Sequence, residues 1–84
     1  MGCEEIMSKV NRLDSEGSKV LKYFIRYRSV GELLALRELK GLYGIKDPAK
    51  VIGHLLDLGL LERGLGCYNI SRDVIKCLES DGKS

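Results

Sequence analysis

The stretch from Lys46 to Gly66, KDPAKVIGHLLDLGLLERGLG, constrains the fold most. Asp47 suits a helix N-cap, and Pro48 suits the first helical position, where its missing N–H costs nothing. Val51, Ile52, Leu55, Leu56 and Leu58 then recur at helical spacing and define one apolar face. Gly59 stands where a left-handed residue stops such a helix. Two short segments follow, Leu60–Arg63 and Cys67–Ile70, joined by Gly64-Leu65-Gly66. Glycine on both sides of the tip signals a hairpin. Leu55 and Leu58 must reach a core while Gly59 reverses the chain, so helix and hairpin share that core and lie side by side.

The remaining elements are amphipathic helices. Residues 4–13 place Ile6, Met7, Val10 and Leu13 on one face. Asp14 or Ser15 can cap a second helix, from about 16 to 28, with Val20, Leu21, Phe24, Ile25 and Tyr27 on its apolar side. Its opposite stripe carries Lys19, Lys22 and Arg26. RSVGE reads as a turn. LLALRELKGLYGI admits two readings: one helix from Glu32 to Tyr43 on propensity, or a short strand at Leu33–Leu34 with the helix starting near Leu36. Gly44 ends the helix in either case. Ser71 can cap a last helix with Val74, Ile75 and Leu78 on its apolar face, and DGKS reads as a frayed end.

With 84 residues the chain is a single domain, residues 1–84, near the lower limit for a self-sufficient core. No apolar run approaches the ~20 residues of a membrane span. Glu4 and Glu5 do not fit a secretory signal. Ile6 stands where a myristoylation signal wants Ser or Thr. A cytoplasmic protein without membrane contact is therefore expected. The three cysteines lack CxxC spacing, so neither a zinc site nor any other cofactor is expected. Reduced thiols are the intracellular default. The chain has no Gln or Thr and only two Asn, with many Lys, Arg and Glu. That composition fits a thermophile, in which a Cys67–Cys77 bridge is conceivable; otherwise both cysteines are small buried or half-buried hydrophobes.

Three segments carry a resemblance. VLKYF (Val20–Phe24), LALREL (Leu34–Leu39) and VIGHLLDLGLLERG (Val51–Gly64) resemble the first, second and third helices of the winged helix-turn-helix superfamily, the last running into its first wing strand. The resemblance covers roughly residues 15–80, with the helix at about 4–13 as an addition. It implies a mainly α fold with a small β-hairpin, extended by amphipathic helices at both termini. It favours the strand at Leu33–Leu34, although Ala35 then takes a capping position usually held by Ser or Thr; strand or helix at 32–36 stays open. It also implies an archaeal transcriptional regulator whose third helix enters a DNA groove while the wing rests on the backbone.

The residues available for that role are Arg37 and Lys40 on the second helix, Lys46, Lys50, Gly53 and His54 on the third, and Arg63 and Gly64 in the wing. They form a thin set. The outward face holds no Arg, Asn or Gln for bidentate base contacts, and Asp57 would repel phosphate. Lys46 and Lys50 are balanced by Asp47 and Asp57, so three or four phosphate contacts at most give modest, strongly salt-dependent binding to double-stranded DNA. A homodimer would double that face. Its interface is expected from Ile6, Met7, Val10, Leu13, Val74, Ile75 and Leu78, which so small a core cannot all bury. No nucleophile–base pair or phosphate loop is present, so an enzyme is not expected. The alternative is a winged helix used as a protein-interaction module, an accessory subunit of a replication or transcription complex. The neutral third helix favours it, and so does the basic Lys19–Lys22–Arg26 stripe, which could meet an acidic partner.

Overall fold

A computed structural model describes residues 2–82, with side chains through Glu79. Five helices and three strands follow in the order α1 (Cys3–Asn11), α2 (Ser15–Tyr27), β1 (Ser29–Gly31), α3 (Glu32–Gly41), α4 (Pro48–Asp57), β2 (Leu61–Arg63), β3 (Cys67–Ile70) and α5 (Arg72–Gly82). The fold is mainly helical, with one small antiparallel sheet.

Capping chemistry sets several boundaries. The Asp14 carboxylate accepts from the Gly17 N–H at 2.7 Å and opens α2. Asp47 accepts from the Lys50 N–H at 3.3 Å and opens α4, with Pro48 in the first turn as expected. The Ser71 hydroxyl accepts from the Asp73 N–H at 3.2 Å and opens α5. Gly59 has φ of 77°, the left-handed conformation that lets the chain leave α4 and enter β2.

The hairpin pairs β2 with β3, and β3 also pairs with β1, giving the strand order β1-β3-β2. Tyr68 stands at the centre, opposite Val30 on one side and Arg63 on the other. Here the sequence reading needs correction. RSVGE is not a turn, because Ser29–Gly31 is the edge strand β1. Of the two readings of residues 32–36, the structure has the helix from Glu32 and not the strand at Leu33–Leu34. The helix also ends at Gly41, short of Tyr43. Good helix formers kept residues 32–41 helical, while the β-branched Val30 supplied the single inward side chain that β1 needs.

The core lies between α2, α3, α4 and the sheet. Phe24, Leu39, Ile45, Ile52, Leu55 and Leu60 are fully buried there. α1 packs across α5, and a disulfide joins Cys3 to Cys77 with Cα atoms 5.2 Å apart. Cys67 is free and half-buried, so the Cys67–Cys77 bridge does not form. Packing α1 on α5 also buries Ile6 and Val74 within the single chain. Of the residues expected at a dimer interface, these two serve the core, Val10, Leu13 and Ile75 are half-buried, and Met7 and Leu78 remain exposed. α5 continues through Asp81 and Gly82; the last two residues of DGKS lie outside the described residues.

Candidate functional site: two exposed faces

The outer side of α4 and the edge of the hairpin form an open groove lined by Lys50, Gly53, His54, Leu56, Asp57 and Arg63. The fold thus brings together four of the residues singled out from the sequence. The α4 residues arrive at adjacent positions because Val51, Ile52 and Leu55 turn the opposite side of the helix inward. Nothing lies within 4 Å of a Cβ built on Gly53, so a ligand backbone has room to approach. The Arg63 guanidinium lies over the Tyr68 ring, 5.4 Å from its centroid, which ties this cation to the sheet. Asp57 shares the groove and offsets part of its positive charge.

Lys46 and Lys50 line a neighbouring groove with Asp14, Glu16 and Asp47. Opposite charges alternate there, so it presents no continuous cationic track. Arg37 and Lys40 line neither groove; both are exposed on α3. Gly64, half-buried, has a packing role of its own. A Cβ at that position would stand 2.7 Å from the Cys67 sulfur and 3.0 Å from the Asn69 amide, so close packing inside the hairpin explains this glycine.

A second face, on α2 and α3, was not foreseen. Leu33, Leu34 and Leu42 are 80%, 51% and 76% exposed, an unusual concentration of solvated leucine on and just beyond one ten-residue helix. On α2, Tyr27 is also exposed, against the Tyr23 ring. The Tyr23 hydroxyl donates to the Glu38 carboxylate at 2.5 Å and links α2 to α3 beneath this surface. Tyr23 also packs against the rings of Phe24, Tyr27 and Tyr43, with centroids 5.1–5.4 Å apart. Burial raises the Tyr23 pKa well above 10.0, and the Glu38 carboxylate reinforces the shift. At the other end of α3, Glu32 accepts from the Tyr68 hydroxyl at 3.3 Å, and its N–H donates to the Gly66 carbonyl at the hairpin tip.

Charge is segregated along the same elements. From the start of α2 to the end of α3, residues 15–41 contain six Lys and Arg against three acidic residues, Glu16, Glu32 and Glu38. The signal was present in ELLALRELKGL: a helix starting at Glu32 turns Ala35 and Leu39 inward and leaves Leu33, Leu34 and Arg37 outward. Leaving 32–36 open between strand and helix hid it.

Between the terminal helices, Met7 and Leu78 border an apolar cavity of about 130 Å³ floored by Leu21, Ile25 and Val74. Among the described residues no group of His, Cys, Asp or Glu is arranged to hold a metal ion. No described helix is long and apolar enough to cross a membrane.

These features define a small, mainly helical domain with a charged groove on α4 and exposed leucines on α3. Residues 14–76 match the family model of PBP2, PolB1 Binding Protein 2, and the chain belongs to that family. The match runs from the Asp14 cap of α2 into α5, and leaves α1 and Cys77 outside it. No curated protein matches the chain significantly.

Proposed function

We propose that this chain is a winged-helix protein-interaction module of the replication machinery, and that its partner is DNA polymerase B1. The observation that carries this reading is the PBP2 family match over residues 14–76. The succession α2, β1, α3, α4, β2, β3, with β1 closing the sheet against β3, supports a winged-helix architecture. The family assignment favours a role in replication over the transcriptional regulation expected from the sequence. Charge also supports a protein partner. The α4 groove sets Lys50 and Arg63 against Asp57, a weak basis for phosphate binding.

A second reading has its own observation. Lys50, Gly53, His54 and Arg63 do line one groove, the arrangement that a winged helix resting on duplex DNA would use. The two readings separate in one experiment: co-migration of the chain with purified PolB1 on size exclusion, beside a salt titration on generic duplex DNA. The polymerase-binding reading expects a stable complex with PolB1 and little duplex binding at physiological salt. No complex, with steeply salt-dependent duplex binding instead, would replace it with the second.

A further inference from the structure

Exposed aliphatic side chains and cations coincide on the α2–α3 face. Leu34 and Leu42 stand four residues before and four after Glu38 on α3 and the turn that follows it, so the three follow one helical row. Glu38 is held by the Tyr23 hydroxyl, and Tyr27 lies one turn beyond Tyr23 on α2. The Tyr23–Glu38 hydrogen bond therefore fixes the relation of two helices around which Tyr27, Leu34 and Leu42 are exposed. Solvated leucines clustered in this way mark a contact surface.

The charges around them indicate the sign of the partner. Arg26, Arg37 and Lys40 are exposed on these helices. The two carboxylates within reach, Glu32 and Glu38, each already accept from a tyrosine hydroxyl. Complementarity thus calls for negative charge together with apolar side chains. Duplex DNA supplies the first and not the second, leaving the leucines uncovered. A second copy of this chain supplies leucines but brings like charges together.

We propose that the α2–α3 face is the docking surface for PolB1, and that it receives an acidic segment of the polymerase carrying apolar anchors that cover Leu34 and Leu42. This assignment rests on the polymerase-binding reading above. Arg37, and Arg26 lying over the Tyr27 ring, then serve to orient and select the partner, and Tyr27 borders the apolar contact.

The test is the affinity of the purified chain for PolB1, measured for wild type, Leu34→Asp/Leu42→Asp, Arg26→Glu/Arg37→Glu and the exposed control Lys76→Glu on α5. Both leucines are half exposed or more, so unchanged circular dichroism and melting are expected of the first variant. Leu34→Ser replaces it should it fail to fold. The leucine pair is expected to weaken PolB1 binding at least about thirtyfold, as loss of an interface hot spot does. The charge pair is expected to weaken binding about tenfold and flatten its salt dependence, with Lys76→Glu within about twofold of wild type. Wild-type affinity in the leucine variant overturns the assignment, as does a loss confined to duplex binding or self-association. Failure of the wild-type chain to bind PolB1 overturns instead the functional reading on which the assignment rests.

Discussion

Cys3 and Cys77 are joined across a sequence separation of 74, so a single bond encloses nearly the whole folded chain. It clamps α1, which lies outside the family-matched segment, onto α5. α1 brings little else to the core beyond Ile6, with Cys3 and Val10 half-buried. The bond therefore matters most for keeping this helix in place.

Closing so long a loop limits the unfolded chain strongly. Cys3→Ser/Cys77→Ser, or full reduction, is expected to cost about 2–4 kcal/mol. In a domain of this size that lowers the melting temperature on the order of 10 °C or more. Differential scanning calorimetry with and without reductant checks the figure. The free Cys67 gives an internal control, since Cys67→Ala should melt like wild type and remain sensitive to reductant.

The Tyr23–Glu38 hydrogen bond predicts a pH dependence. Burial and the Glu38 carboxylate both raise the Tyr23 pKa, so the folded chain keeps the phenolic proton above pH 10.0, where the unfolded chain loses it. The unfolded state then binds fewer protons and stability falls as pH rises past about 10, by at most ~1.4 kcal/mol per pH unit. Below that pH the contribution is fully present. Tyr68, raised chiefly by burial, acts in the same direction. Tyr23→Phe should lose about 1–2 kcal/mol at neutral pH and show a shallower alkaline decline. Denaturant unfolding at pH 7 and pH 11 compares the two chains.

Gly59 is required by backbone geometry. Its φ of 77° lies where a Cβ is disfavoured, and the reversal it makes puts Leu60 and Leu61 into the same core as Leu55. Gly59→Ala is expected to destabilise the chain by about 1–2 kcal/mol, measured as a shift of the urea midpoint with unchanged slope.

The sequence made the helix–hairpin unit legible because each boundary had its own local signal: Asp47 and Pro48 at the start, Gly59 at the stop, glycines about the hairpin tip. The caps of α2 and α5 were legible for the same reason. Helical periodicity placed Lys50 and His54 on one outward face, and the reversal at Gly59 brought Arg63 of the hairpin beside them. What escaped was non-local. Strand β1 exists because Val30 finds Tyr68, 38 positions away, and a three-residue strand carries no periodicity of its own. The burial of Ile6 and Val74 depends on α1 meeting α5, and the Cys3–Cys77 bond depends on the same encounter. The exposed leucines of α3 were missed because Leu33 and Leu34 look like core until the start of their helix is known.

The central claim, that this domain binds polymerase rather than reading DNA, is tested most directly by calorimetric titration of the chain into purified PolB1, with and without excess duplex DNA. A saturable one-to-one association that survives the duplex is the result predicted. Absence of heat with PolB1, alongside a duplex interaction that collapses between low and physiological salt, would contradict it.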